Sequence, residues 1–311
     1  MVYVGIDLGG TNIAAGVVDE NGKLLNKVSC PTGVERGHEA VIADMAAMAK
    51  KAIEESDYTM DDLKAVGIGL PGILVPDTGV APFCTNLGWH QVPLIDLMRT
   101  HIDVPIYGGN DATVAALAES VSGVSAGYAS SVFLTLGTGV GGGLVFDGKV
   151  YSGPHGVGSE LGHMIVAIDG ELCSCGNRGC WERYASATAL IRMGREAAEK
   201  QPDSVLAKTA HDAITAKTVV DAAKAGDGPA MEVFDRYVYY ITVGLVSIIN
   251  YTDPDIIALG GGVSAAGEFL LAPIRKKLAE MVFYKKMPYA RIELATLGND
   301  AGIIGAAMLG R

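Results

Sequence analysis

Four residues with good metal-ligand atoms, His163, Cys173, Cys175 and Cys180, fall in one short segment bounded by Glu160 and Glu182. It reads Glu-Leu-Gly-His, a variable stretch, then Cys-Ser-Cys-Gly-Asn-Arg-Gly-Cys-Trp-Glu. One imidazole and three thiolates suit tetrahedral Zn²⁺. Gly176 and Gly179 let the loop turn back so that Cys180 meets Cys173 and Cys175. The spacing is not that of a zinc finger. Buried structural thiols or a disulfide are the alternatives, yet such thiols have no reason to gather with Gly, Asn and Arg in a polar loop. Four protein ligands close a site, so the metal is expected to be structural. Its work would be to fix Glu160 and Glu182 as acceptors for the hydroxyls of a polyol.

A second chemistry is written in two glycine turns. Asp7-Leu-Gly-Gly-Thr11 and Leu136-Gly-Thr-Gly139 each follow a short apolar run. Without side chains at Gly9, Gly10, Gly137 and Gly139, phosphate oxygens can reach backbone N–H groups, and Thr11 and Thr138 add hydroxyls. Asp7 could hold Mg²⁺ through water. One such turn alone reads as an ordinary hairpin; two related turns opening two related meanders point to phosphate. Gly137-x-Gly139-x-x-Gly142 matches a dinucleotide fingerprint literally, but that motif needs a helix next, and Leu144-Val-Phe146 reads as a strand. No Gly-x-x-x-x-Gly-Lys-Ser/Thr is present. Gly260-Gly261-Gly262 follows a strand and could lie flat against an adenine or ribose. Asp111, beside Asn110, follows a strand and opens a helix. From position alone it is equally a general base toward a hydroxyl or a helix N-cap. Asn86 lies in the turn Thr85-Asn-Leu-Gly-Trp89, which by itself reads as structural, and Trp89 and Trp181 read as core.

The elements that must hold these groups follow from periodicity and turn residues. Val2–Asp7, Asn12–Val18 and Lys23–Ser29 read as an antiparallel meander, with Asn21-Gly22 as a type I′ turn. Glu39–Glu55 is a helix by its apolar spacing, Leu63–Leu70 a strand ending in Pro71-Gly72, Leu94–His101 a short helix. Val104–Tyr107 is a strand leading to helix Ala112–Val121. The pattern then restarts with Ser131–Leu136, a return at Leu144–Phe146, and Asp147-Gly148 turning into Lys149–Tyr151. Ser186–Asn250 is mainly helical. Asp255–Leu259 and Arg291–Ala295 are strands, Glu268–Met281 and Ala301–Leu309 helices. This is an α/β chain with antiparallel edges on otherwise parallel sheets. Two domains of similar plan are expected: residues 1–118, onto which a helix at about 300–311 packs back, and residues 119–299, carrying the cysteine loop.

The chain has 311 residues and a net charge of −11, with 49% hydrophobic and 19% charged residues. It is too long for one ordinary core, and its acidity argues against nucleic acid as a partner. The 41 glycines fall in clusters, as expected where backbone approaches a ligand. The start carries no basic and apolar leader, and the apolar run Tyr237–Ile249 is too short and polar to span a bilayer. Five cysteines, an odd number, without an export signal imply reduced thiols in the cytoplasm.

Taken together, Asp7–Thr11, Gly108-Gly-Asn-Asp111, Leu136–Gly143, Gly158-Ser-Glu-Leu-Gly-His163, Cys173–Glu182 and Tyr184-Ala-Ser-Ala-Thr188 resemble the ROK family of bacterial sugar kinases and repressors, most closely its glucokinases. The resemblance covers essentially the whole length. It implies the actin-like (ribonuclease H-like) ATPase fold, and ATP-dependent phosphorylation of glucose. It implies Asp111 as the base toward the sugar 6-hydroxyl, and Gly72, Asn86, Asn110, Glu160, His163 and Glu182 at the sugar. His163 would serve both sugar and zinc, with Cys173, Cys175 and Cys180 completing the metal site. ATP with Mg²⁺ would lie along Asp7, Gly9, Gly10, Thr11, Asn12, Gly137, Thr138, Gly139 and Gly260–Gly262. A homodimer or homotetramer is implied as well. Asn12 departs from the Lys that many members carry there, leaving one less positive charge near the phosphates.

Two rivals follow. A sugar-sensing repressor of the same family carries a helix-turn-helix ahead of the first meander, whereas here only Met1 precedes Val2. A kinase for N-acetylmannosamine, fructose, mannose or allose differs by single hydroxyl contacts, which the sequence does not distinguish.

Overall fold

The computed structural model describes all 311 residues. Strands β1 (Val2–Leu8), β2 (Asn12–Asp19) and β3 (Val28–Pro31) are followed by helix α1 (His38–Glu54) and β4 (Leu63–Leu70). A hairpin, β5 (Ala81–Cys84) and β6 (Trp89–Val92), precedes α2 (Leu94–Arg99), β7 (Ile106–Asn110) and α3 (Asp111–Ser122). Then come β8 (Ser130–Leu136), β9 (Val140–Phe146) and β10 (Lys149–Val150). The helices α4 (Glu182–Ala185), α5 (Ala187–Lys200), α6 (Ala216–Lys224) and α7 (Gly228–Thr252) follow, and β11 (Ile256–Gly260), α8 (Glu268–Met281), β12 (Arg291–Leu294) and α9 (Ala301–Met308) close the chain. No helix is long and apolar enough to cross a membrane.

One plan occurs twice. The first sheet has the order β3-β2-β1-β4-β7 and the second β10-β9-β8-β11-β12. In the first, β1 runs antiparallel to β2 and parallel to β4, and β4 parallel to β7. In the second, β10 runs antiparallel to β9 and β11 parallel to β12. The chain divides into two compact units: Met1–Phe133 with Gly143–Ser159 and Thr296–Arg311, and Leu134–Gly142 with Glu160–Ala295.

In β1 the side chains alternate between two different neighbours. Val2, Val4, Ile6 and Leu8 are buried in a core shared with Val41, Ile42, Met45 and Ala49 of α1. The opposite face is nearly bare. Gly5 lies between Gly16 of β2 and Gly67 of β4 in register, a row of three glycines across three strands. Helix α9 occupies that row. A Cβ on Gly5 would run into the Ile303 carbonyl, and one on Gly67 into the Ala306 carbonyl. Gly305 of α9 in turn sits on the Val114 carbonyl of α3, and a Cβ there would stand 3.2 Å from Ala118 N. Glycine inside a strand weakens it unless another backbone comes close; here α9 does.

Local turns differ from the expectation in two places. Asn21-Gly22 is no type I′ turn, because only Gly22 has a positive φ, 77°. The Asp19 carboxylate instead accepts the N–H groups of Asn21 and Lys23, both at 2.9 Å, so a side chain makes the bend. Consequently β3 starts only at Val28, and the Asn26 amide oxygen takes the Val17 N–H at 3.1 Å in place of a strand partner. Asp147-Gly148 does have both φ values positive, 50° and 72°. The β5–β6 hairpin was unexpected: its strands have four residues each, and Pro82 and Gln91 interrupt the apolar pattern.

Candidate functional site

In the first unit, two acidic side chains share one neighbourhood. Asp7 is on the bare face of β1, with its carboxylate against Gly302 in the first turn of α9: a Cβ on Gly302 would be 2.6 Å from Asp7 Cγ. Asp111 opens α3 directly after β7, at the C-terminal end of a parallel strand, where α/β proteins bind ligands. The helix cap is Asn110, whose Oδ1 accepts the N–H groups of Ala112 at 2.9 Å and Thr113 at 3.3 Å. Asn110 is thus the cap, while Asp111, the first residue of the helix, shares the Ala112 N–H through its own Oδ1 at 2.7 Å. Asn110 Nδ2 donates to the Gly72 carbonyl at 3.3 Å, which ties Gly72 to the start of α3. Burial lifts the Asp7 carboxyl to about 6; the Asp111 charge adds to this and Lys27 opposes it. Burial also raises Asp111, against the Ala112 N–H and Asn110, which lower it. Two carboxyls raised mainly by burial, with the Asp111 charge further hindering ionisation of Asp7, mark a place suited to a cation or a proton acceptor.

The first glycine turn belongs to the same unit. Gly9 N–H donates to the Asn12 carbonyl at 2.9 Å. Thr32, fully buried, pins the turn from below: its Oγ1–H donates to the Gly9 carbonyl at 2.7 Å and its N–H to the Thr11 carbonyl at 3.0 Å. Gly10 packs on the turn that carries Asn86, where a Cβ would stand 3.3 Å from the Asn86 carbonyl. Thr11 and Asn12 are exposed.

In the second unit, His163, Cys173, Cys175 and Cys180 present ligand atoms all within 4.8 Å of one another. Cys175 Sγ and Cys180 Sγ are 3.6 Å apart, and Cys173 Sγ is 3.7 Å from His163 Nδ1. Bonds of about 2.3 Å to a tetrahedral zinc put neighbouring sulfurs about 3.8 Å apart, so the donor set fits that ion. The loop closes on itself through Cys173 N–H to the Asn177 carbonyl at 2.8 Å. Gly176 and Gly179 have φ of 93° and 80°, values that favour glycine.

Glu182, at the start of α4, links this loop to the second glycine turn. Its Oε1 accepts from Cys173 Sγ at 3.4 Å and its Oε2 from the Val140 N–H at 3.3 Å. Gly139 lies directly beneath the Glu182 carboxylate. The turn is tied down further by Ala187 N–H to the Gly137 carbonyl at 2.8 Å and Thr188 Oγ1–H to the Thr138 carbonyl at 2.7 Å. Val140–Phe146 is a strand, so the helix that a dinucleotide fingerprint requires is not there. Glu160 stands at the head of the 3₁₀ turn Leu161–His163. Gly260 ends β11, and Gly261, with φ 83°, lies against the Leu136 backbone, which a Cβ would meet at 2.6 Å. Gly262 has open space above it and helps line a cavity of about 260 Å³ with Ala216, Lys217, Val220, Lys224, Val263 and Ala266.

Each sequence-based candidate thus sits with others in its own unit. Asp7, Gly9, Gly10, Thr11, Asn12, Gly72, Asn86, Asn110 and Asp111 are in the first; Gly137–Gly139, Glu160, His163, the three cysteines, Glu182 and Gly260–Gly262 are in the second. Sequence reasoning missed Thr32, Gly302 and the α6 wall of the cavity. Lys217 and Lys224, seven residues apart on one helical face, were a signal for that wall; Gly302 gave none.

The ROK family model matches residues 3–311. A glucokinase of Thermotoga maritima is 39% identical over 309 residues, 98% of this chain and 96% of that protein. An N-acetylgalactosamine kinase of Shewanella is 32% identical, over 99% of this chain and 96% of that one. Among solved structures, a ROK family glucokinase from Streptomyces griseus in complex with glucose and AMPPNP superposes with a TM-score of 0.82 at 36% identity, covering 99% of both chains.

Proposed function

The chain belongs to the ROK family, and from that premise we propose that it is a glucokinase, moving the γ-phosphoryl group of ATP to O6 of glucose. The fold is the actin-like ATPase fold, with a mixed sheet built twice. The observation that carries the reading is the end-to-end similarity to a glucokinase that binds glucose and AMPPNP.

Asp111 accepts the proton of the attacking hydroxyl. Its placement at a strand end, and a carboxyl that burial holds above its ordinary value, suit a general base. Asn86, Glu160, His163 and Glu182 take the remaining sugar hydroxyls, with Asn110 Nδ2 beside Gly72. Backbone N–H groups of the turns at Gly9–Thr11 and Gly137–Gly139 meet the phosphates, and Asn12 flanks the first of them. The adenosine end lies in the cavity between α6 and Gly262. Asp7 would hold Mg²⁺, which would supply charge neutralisation for the transferring group. His163, Cys173, Cys175 and Cys180 would hold zinc, and the closed loop would keep Glu182 and His163 in fixed orientation. The same reading gives a cytoplasmic homodimer or homotetramer.

A coupled assay of ADP release over a hexose panel tests the assignment, with ATP and polyphosphate as alternative donors. Glucose with ATP is expected to give the highest kcat/KM. A higher value for N-acetylgalactosamine, N-acetylmannosamine, fructose, mannose or allose would overturn the substrate, and no turnover of any sugar would overturn the activity.

A further inference from the structure

Glu119 is a carboxylate 1% exposed in the middle of the first unit, and the phosphoryl-transfer chemistry makes no use of it. Its oxygens are fully engaged as acceptors. Oε1 takes the N–H groups of Thr296 and Leu297, both at 2.9 Å. Oε2 takes the Val124 N–H at 2.8 Å and the Thr296 hydroxyl at 3.3 Å. A buried charge needs such company. What is unusual is where its partners lie. Thr296 and Leu297 open the segment that leads into α9, while Glu119 itself belongs to α3, eight residues beyond Asp111. That is about 12 Å along the helix.

The site of Glu119 is prepared for it. A Cβ on Gly123 would come within 2.6 Å of Glu119 Cδ, although Gly123, with φ −104°, has a backbone open to any residue. The glycine is there to let the carboxylate fold back under the end of α3. A second tie lies just ahead of α9, where Lys27 Nζ meets Asp300 Oδ1 at 2.7 Å. Farther still, Gly305 rests on Val114. Helix α9 is therefore registered along α3 at its entry and at its middle, and Gly302, the seat of the Asp7 carboxylate, lies between the two points.

We propose that Glu119 is a positioning residue for the Asp7–Asp111 pair: by holding Thr296 and Leu297 it sets the register of α9 on α3, and so the place where Asp7 meets Gly302. Sliding α9 by a fraction of a helical turn would move Gly302 from under Asp7 while leaving both helices intact. The kinetic consequence rests on the glucokinase reading; the geometric one does not.

Two variants test this. Glu119→Gln replaces an acceptor oxygen with an NH₂ group that faces donors. Gly123→Ala keeps the carboxylate but pushes it off its seat, and it carries the test if Glu119→Gln does not fold. In either variant the backbone amide resonances of Asp7 and Gly302 are expected to shift, while those of the cysteine loop stay in place. At saturating glucose and ATP, kcat per folded molecule should fall about a hundredfold, the loss that a displacement of about 1 Å can bring. Glucose Kd measured by calorimetry should stay within about twofold. If melting temperature drops but the Gly302 resonance and kcat hold their wild-type values, Glu119 is a structural clamp only and the proposal is wrong. If wild type turns over no sugar, the glucokinase reading falls, and the amide shifts alone decide on the clamp.

Discussion

The carboxylate of Asp7 rests on the α-carbon of Gly302, so close that a methyl group there would stand 2.6 Å from Asp7 Cγ and Oδ2. The two residues are at opposite ends of the chain. They meet because Gly5 and Gly67 hold no side chains between the sheet and α9. The same close packing that seats Asp7 removes it from water, and that desolvation is the main reason its carboxyl is lifted to about 6. Packing of the last helix and the acid–base character of the first strand are thus a single feature.

The first prediction follows from that lift. The folded-state value lies above the ordinary carboxylate value of about 3.9, so folding favours the protonated form. Whatever stability Asp7 adds is present below pH 4 and is lost as pH rises through about 6. Asp7→Asn, neutral at every pH, should stabilise the protein at pH 8 by about 2–3 kcal/mol and change little at pH 4, while abolishing activity. Urea unfolding at the two pH values checks it. Equal effects at both would mean that Asp7 ionises normally.

The glycine row gives the second. Gly67→Ala drives a methyl group into the backbone of α9, and overpacking against a helix axis cannot be relieved by rotating a side chain. A loss of about 3 kcal/mol is expected, the upper end for an added methylene. Gly228→Ala is the control: it sits at the start of α7 with nothing within 4 Å of a new Cβ. Its change should stay within about 1 kcal/mol, the entropy gain in the unfolded chain being offset by the crowding of a Cβ before Pro229. Chemical denaturation of both variants reads the contrast.

Much of this was legible in the sequence, and the failures have physical causes. Strong periodicity placed α8 at Glu268–Met281, and the paired glycine turns announced the doubled plan. Ligand types and spacing picked out the four donors that the fold gathers within 4.8 Å, since thiol chemistry is local. What stayed hidden is tertiary. Gly5, Gly16 and Gly67 look like weak points in strands until the strands are in register. Asn110 and Asp111 are adjacent candidates for one cap, and only the hydrogen bonds of the folded helix decide between them. Nothing local in the helix Ala112–Val121 singles out Glu119; the return of Thr296 and Leu297 buries it.

The cysteine loop yields the third. Cys175 is the most exposed of the three thiols, so Cys175→Ala opens no cavity, and its effect reports on the metal. Zinc measured by elemental analysis should be lost. Glucose affinity should drop at least about tenfold, because Glu182 touches Cys173 directly. Zinc lost with glucose affinity unchanged would remove the loop from sugar binding.

A fourth separates binding from chemistry. Asp111→Ala removes one bond to the Ala112 N–H, but Asn110 still accepts that N–H and the Thr113 N–H and holds the N-terminus of α3. Glucose Kd should change by less than about threefold, and kcat should fall by about 10²–10⁴, the range for loss of a general base. Turnover near wild type would refute the assignment.

The fifth concerns the cavity between α6 and Gly262. Ala266 lines it with a small side chain and stands far in sequence from every sugar candidate. Ala266→Trp should fill the space that adenosine needs. If ATP lies there, its KM rises about tenfold, a loss of about 1.4 kcal/mol, while kcat at saturating ATP and the glucose Kd hold. That pattern is distinctive because α6 contributes no group to the reacting atoms. An unchanged ATP KM would place the nucleotide elsewhere, and a parallel loss in glucose affinity would show instead that the indole had disturbed the unit as a whole.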